Sequence, residues 1–309
     1  MKLRSITIQL TAVFAFCLSS NNATAALFSG LFSFGDSLSD AGNTSLATGG
    51  ALPGADYYNG RYSNGPVWVE RLAGYLGLPA ASPSLLGGTN SAWAGAYTLS
   101  GGSVPTIAQQ VAMFTGAGGS FLSTDVVTLW GGANDFLLGG QLDPTIPAGN
   151  ILGIISTLAG AGAKTILLPN LPDLGDTPAL LSTNDPNSIL GASLWTQGFN
   201  ATLASQMAGL ESAYGIDIVL LDIYSIGKTL KNDPGAYGFT NTTDSALLTG
   251  NAAFADQYLY WDSVHPTSGV HDIFAWEGAL ALGVPEPSTT MILFLFGCGL
   301  VARRQRRCA

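Results

Sequence analysis

The chain has 309 residues, 47% of them hydrophobic and only 10% charged, with 40 Gly and 15 Pro. That composition excludes a disordered chain and fits a loop-rich globular protein. A formal charge of −9 argues against nucleic acid or anionic membrane surfaces as partners and weakly disfavours polyanionic substrates.

At the start, Lys2 and Arg4 lead into an apolar run from Ile6 to Leu18, then polar Ser19 to Asn22 and the small residues Ala23-Thr24-Ala25. This is the order of a secretory signal peptide, so residues 1–25 are expected to be cleaved. Cys17 does not read as a lipoprotein cysteine, because Phe16 stands where a lipobox has a small residue. Residues 26–284 then read as one domain without an internal repeat.

Short apolar runs at 31–34, 126–130, 165–169 and 217–221 are bounded by Gly, Pro, Asn or Asp. They predict strands buried on both faces, hence parallel. Between them lie helical stretches. Pro66 suits the first turn of a helix whose Trp68, Leu72, Tyr75 and Leu76 share a face, and Ile151 to Leu158 and Leu194 to Leu210 have similar periodicity. A final helix is expected from near Pro266 through Leu282. The alternation predicts a doubly wound, three-layer α/β/α domain with right-handed crossovers and a central parallel sheet. Ligands of such sheets bind outside the carboxyl ends of the strands, which puts "GDS" at 35–37 and "GGAND" at 131–135 on one rim.

After the body, "VPEP" at 284–287 precedes an apolar run from Met291 to Ala302 and then Arg303, Arg304, Arg306 and Arg307. The run is short of the roughly 20 residues that span a bilayer comfortably. Arginines directly behind it fit a membrane stop with a cytoplasmic tail better than a buried core helix. Six of the 11 Lys and Arg lie in the two ends, leaving the body near −14. All three cysteines, Cys17, Cys298 and Cys308, also lie there, so the body is expected to hold without disulfides.

Chemistry gathers at few positions. Ser37 follows the first strand in "FGDSLSDAGN", where Gly, Asp and Ser are equally turn residues. Asp262 and His265 stand in "WDSVHPT", just before Pro266, which biases His265 toward an extended conformation. A compact turn of this kind lets the carboxylate orient one ring nitrogen while the other faces outward, as serine hydrolysis requires. The other histidine, His271, falls inside the final helix and is assigned a structural role. Gly95 in "NSAWAGA" can present a backbone N–H and Asn134 in "GGAND" a side-chain amide, although each is also an ordinary turn residue. Two histidines, no body cysteine and no H-E-x-x-H leave little to build a catalytic zinc site, and no cofactor is expected. The absence of G-x-S-x-G disfavours an α/β-hydrolase nucleophile elbow.

In order and local context these blocks, with "NGRYSNGPVWVERLA" and "LPNLPDLGDTP", resemble the GDSL esterase/lipase family, the SGNH hydrolases. The resemblance implies a flavodoxin-like SGNH hydrolase fold. It also implies Ser37 as nucleophile, His265 as base, Asp262 as its orienting group, and Ser37 N–H, Gly95 N–H and the Asn134 amide as the oxyanion hole. Ala94 departs from the pattern, since many relatives carry a second glycine there. The tail at 285–309 resembles the PEP-CTERM sorting signal. That resemblance implies export to the envelope, surface or extracellular matrix of a Gram-negative bacterium, transient inner-membrane anchoring and processing by an exosortase.

The expected substrate is a small-molecule, lipid or acylated-saccharide ester. An exported esterase or lipase, a polysaccharide O-acetylesterase and a non-catalytic surface or matrix binding protein all remain open. Trp93, Tyr97, Trp130 and Trp261 lie near the motifs and line either a pocket or the core.

Overall fold

The computed structural model describes residues 27–285. The expected signal peptide and the apolar segment and arginines of the tail lie outside the described residues. Among the described residues, no helix is long and apolar enough to cross a membrane.

Four parallel strands form the central sheet in the order β1 (Gly30–Gly35), β2 (Asp125–Trp130), β3 (Thr165–Pro169) and β4 (Asp217–Leu221). On the free side of β1, Ser33 N–H donates to Thr89 O at 3.0 Å, Ser91 N–H to Ser33 O at 2.7 Å and Trp93 N–H to Gly35 O at 3.1 Å. Residues 89–93 thus continue the sheet beyond β1 without forming a regular strand. β2 is buried along its whole length, as a continuous apolar run predicts. β4 is not: Asp217 and Leu220 are exposed, because among the described residues β4 has only β3 beside it.

The longer helices are α1 (Trp68–Tyr75), α2 (Ile107–Gly116), α3 (Thr145–Gly160), α4 (Pro186–Tyr214), α5 (Ile223–Asn232) and α6 (Ser268–Ala281). Register puts Phe32, Phe34, Val127 and Leu129 on one sheet face, where the two phenylalanines meet Phe114 of α2. α3 packs beside α2 and against α4 on that side. On the other face, Trp130 meets Trp68 of α1 at 5.5 Å and Phe274 of α6 at 5.8 Å, and α1 packs on α6. Helices therefore cover both faces, giving the expected three layers.

Caps set the helix bounds. Thr106 and Gln109 exchange side-chain and backbone hydrogen bonds in a capping box at α2. Asp185 accepts from the N–H groups of Asn187 and Ser188 while Pro186 opens α4, and Gly215 ends it at φ 60°. Two expected starts move. α1 begins at Trp68 rather than at Pro66, because Glu70 Oε2 accepts from Val67 N–H at 3.0 Å and marks Val67 as the cap. α6 begins at Ser268 rather than near Pro266, because Pro266 is bridged to Tyr260 and Thr267 N–H donates to Leu259 O. Tyr75, expected on the apolar face of α1, is 37% exposed, whereas Trp68 and Leu72 are fully buried. Its hydroxyl donates to Asp272, so it lies on the wet rim of the α1–α6 contact. A small parallel pair, β5 (Asn241–Ser245) with β6 (Tyr258–Tyr260), stands apart from the main sheet and leads into the Asp262 loop.

Candidate active site

β1 and β2 end together, Gly35 beside Trp130, and the chain turns over the rim at Asp36 and Ser37. A Cβ on Gly35 would stand 2.4 Å from the Trp130 carbonyl oxygen, so only glycine lets the strands stay paired to their ends. Buried Gln110 clamps the same residue, accepting from Gly35 N–H at 2.9 Å and donating to its carbonyl at 2.8 Å. Ser37 is thereby delivered to the rim on a backbone fixed from both sides.

The polar residues that follow Ser37 hold the neighbouring loop. Asp40 accepts from Gly42, Asn43 and Thr44 N–H, capping a short helical turn, and its Oδ2 also accepts from Ala94 N–H at 3.1 Å. Asn43 Nδ2 donates to the carbonyls of Asn90 and Ala92, and Asn90 Nδ2 donates to Ser39 O at 2.7 Å. These side chains are fully buried, and an unpaired polar group there would cost about 1–3 kcal/mol. The sequence reading missed all three. A cluster of Asp and Asn after a strand signals a turn, and their partners lie about fifty residues away.

Gly95 follows in that loop at φ +81°, a left-handed conformation that glycine adopts without strain. Ala94, where relatives often carry glycine, uses its N–H to bind Asp40 and Thr44 Oγ1. The N–H groups of Ser37 and Gly95 meet no acceptor among the described residues. Asn134 lies at the start of a short helix just beyond β2, after Gly132 at φ +116°. Its Nδ2 donates to Ala96 O at 3.1 Å, which fixes the amide and leaves its second N–H available. Asp135, the neighbouring acid, turns inward to accept from Thr98 N–H and Oγ1.

Asp262 and His265 occupy the loop between β6 and α6, closed by Trp261 N–H donating to His265 O at 2.8 Å. Asp262 Oδ1 accepts from Val264 N–H at 2.9 Å and His265 N–H at 2.7 Å, and its Oδ2 lies 2.6 Å from His265 Nδ1. On the far side of the ring, His265 Nε2 stands 2.7 Å from Ser37 Oγ. Residues 228 positions apart thus meet in one hydrogen-bonded line. Burial pushes the Asp262 carboxyl up, but the His265 hydrogen bond and charge and the two backbone N–H groups outweigh it, leaving the group at about 2. An ionised carboxylate only accepts, so Nδ1 carries the proton and Nε2 is free to accept from the Ser37 hydroxyl.

Ser37, Asn134 and His265 open onto one pocket, open to solvent at its mouth, with Leu38, Leu137, Leu174, Leu259 and Phe274 among its walls. Gly95 is not among the lining residues. The Asp40–Ala94 hydrogen bond ties its loop to the segment that follows Ser37. One wall is polar: Lys228 Nζ lies 2.7 Å from both Asp173 Oδ2 and Asp176 Oδ2, and Lys231 pairs with Asp176. Of the four aromatic candidates, Trp130 lines the pocket and also packs in the core, and Trp261 is buried in a satellite cluster with Ala246 and Ala255. Trp93 and Tyr97 are not pocket-lining. His271 is fully buried in α6, where Nδ1 accepts from Trp68 N–H at 3.2 Å. Burial above all holds it down at about 3, so it is a neutral anchor between α6 and α1. Among the described residues, no group of three or more His, Cys, Asp and Glu is placed to hold a metal ion.

A serine, an imidazole and a carboxylate in line, beside unengaged donors and an apolar pocket, can carry acyl transfer. The sequence pattern of the family described as GDSL-like Lipase/Acylhydrolase matches residues 31–277. The chain belongs to this family. Like other GDSL hydrolases it acts on ester bonds. It is similar to the phosphatidylcholine-sterol acyltransferase of Aeromonas hydrophila, 30% identical with 86% of this chain and 90% of that protein covered. It is also similar to the thermolabile hemolysin of Vibrio parahaemolyticus, 29% identical over 77% of this chain and 60% of that one. Among solved structures, a lipolytic protein of the G-D-S-L family from Veillonella parvula aligns at a TM-score of 0.46 and 15% identity, covering 83% of this chain and 99% of that one.

Proposed function

We propose that this GDSL hydrolase is an exported serine esterase or lipase that cleaves carboxylic esters through an acyl-enzyme on Ser37. The observation that carries the reading is the unbroken line from Ser37 Oγ to His265 Nε2 at 2.7 Å and from Nδ1 to Asp262 Oδ2 at 2.6 Å. His265 takes the Ser37 proton as the oxygen attacks the ester carbonyl, and Asp262 stabilises the imidazolium that forms. The negative oxygen is received by Ser37 N–H, Gly95 N–H and the second N–H of Asn134. His265 then gives its proton to the departing alcohol, and water releases the acyl group by the same route.

The pocket supports the esterase or lipase reading over an O-acetylesterase. Its leucine and phenylalanine walls offer more apolar contact than an acetyl group uses. The name of the Aeromonas relative makes phosphatidylcholine a reasonable member of a substrate panel. Export rests on the charged, apolar and small-residue order of residues 1–25, and envelope sorting by an exosortase, with transient inner-membrane anchoring, rests on the PEP-CTERM-like tail.

The test is turnover of nitrophenyl esters of graded acyl length, phosphatidylcholine and acetylated polysaccharide by the purified protein and by Ser37→Ala. Turnover that rises beyond acetyl and disappears in Ser37→Ala is expected. Equal turnover by both proteins, or a phosphonate ester probe found on another residue, refutes the assignment of Ser37. Cell fractionation reads localisation, and a cytoplasmic protein with residues 1–25 intact refutes export.

A further inference from the structure

Asp262 has a second partner on the oxygen that His265 uses. Tyr57 Oη donates to Asp262 Oδ2 at 2.8 Å, across 205 residues of sequence. With Val264 and His265 N–H on Oδ1 and His265 Nδ1–H and Tyr57 O–H on Oδ2, all four acceptor positions of the carboxylate are filled. Tyr57 is half-buried, and burial first, then the charge of Asp262, raises its phenol above the usual value. It therefore stays protonated and donates throughout the working pH range. Next to it, the Tyr62 ring lies 5.1 Å from the His265 ring, tilted 46° to it.

The segment that supplies both tyrosines is fastened to the Asp262 loop without help from the Tyr57 hydroxyl. Ser63 Oγ donates to Pro266 O at 3.0 Å, and Asn64 Oδ1 accepts from Ser268 N–H at 2.7 Å. Arg61 grips Glu70 of α1 through two nitrogens and reaches back to Asn59 O at 2.6 Å. Asn59 and Gly60, at φ 44° and 82°, reverse the chain so that Tyr57 and Tyr62 come together, ring centroids 5.7 Å apart. Such anchoring explains why "NGRYSNG" carries so many polar residues, and it leaves the phenol free to serve Asp262.

We propose that Tyr57 is a positioning residue, its hydroxyl locking the Asp262 carboxylate against rotation so that Oδ2 stays in line with His265 Nδ1. The proposal rests on the reading of ester hydrolysis through Ser37. A carboxylate fixed on one oxygen holds the imidazole in a single orientation.

The experiment compares Tyr57→Phe with wild type in the intact protein, reading kcat and KM on a nitrophenyl ester and the far-downfield proton resonance of His265 Nδ1–H. Because Phe keeps the ring and the loop is held elsewhere, the variant is expected to fold. kcat should fall about tenfold, the effect of one hydrogen bond to a charged group, with KM changed less than about twofold. The Nδ1 proton should move upfield, since a carboxylate free to rotate holds Oδ2 less well in line with it. In an Asp262→Asn background the same change should cost less than about twofold, because its partner carboxylate is gone. An unmoved resonance, or the full tenfold loss in the Asp262→Asn background, overturns the proposal, as does a fall in melting temperature with kcat intact. Ser37→Ala separates the two readings. If it retains turnover, hydrolysis through Ser37 fails, while the resonance of Tyr57→Phe still decides whether Tyr57 positions Asp262.

Discussion

Asp36 is the acid beside the proposed nucleophile, 2% exposed, with a single hydrogen bond from Leu38 N–H to Oδ1 at 3.0 Å. Burial, with a smaller contribution from the charge of Asp135, lifts its carboxyl from 3.8 to about 6, against the pull of Leu38 N–H and His265. Ionising such a group at neutral pH costs the folded state about 1.4 kcal/mol for each tenfold change in its acidity, so the difference between 3.8 and about 6 amounts to about 3 kcal/mol. A raised acid favours the folded state only while protonated, so wild type loses this stability as pH rises from about 4 to about 6 and regains none above. Asp36→Asn keeps an acceptor for Leu38 and carries no charge. Urea denaturation should find it more stable than wild type by about 2–3 kcal/mol at pH 7.5, and no more stable below about pH 4. At about 2–4 °C per kcal/mol for a domain of this size, its melting temperature at pH 7.5 should rise by about 5–10 °C. A gap of the same size at both pH values, or no gain at neutral pH, refutes the reasoning.

Asn134→Ala should keep the fold and lower kcat by about 10²–10³, the usual loss for one oxyanion donor; a loss under about threefold removes Asn134 from that role. Gly35→Ala forces a Cβ to within 2.4 Å of the Trp130 carbonyl and should destabilise by about 1–3 kcal/mol, with activity falling as Ser37 is displaced. Unchanged stability in denaturant would show that the strand ends give way easily. Lys228→Met leaves Asp173, whose side chain is 4% exposed, without its cation and should cost about 1–3 kcal/mol at neutral pH. Chemical denaturation measures it, and a neutral result would mean that Ser193 and Gly175 N–H satisfy Asp173 alone.

The four sheet strands were legible because each carries a short, mostly apolar run stopped by turn residues, a pattern set by burial that is complete in β2 and partial in β4. β5 was not, since Asn241–Ser245 is polar and becomes a strand only by pairing with β6. α2 and α5 likewise passed unpredicted. The Asp262–His265 pair could be read from sequence because its geometry closes within one turn of chain. Asp40, Asn43, Asn90, Gln110 and Tyr57 could not, because each acts through a partner that only the folded chain brings near.

By itself, then, the amino-acid sequence determined the chemistry available: a serine behind a strand, an acid and a base one turn apart, a glycine in a loop, an amide beyond another strand, and the order of layers that brings the strand ends to one rim. The tertiary structure alone decided which polar groups are bound and which stay free. It placed Asp40 on Ala94, held Asn134 by Ala96, left the N–H groups of Ser37 and Gly95 without acceptors among the described residues, and brought Tyr57 to the last open position on Asp262. The physical reason is that a local pattern encodes backbone conformation and burial, whereas the pairing of a buried polar group depends on whatever distant segment the packing of the sheet and helices sets against it.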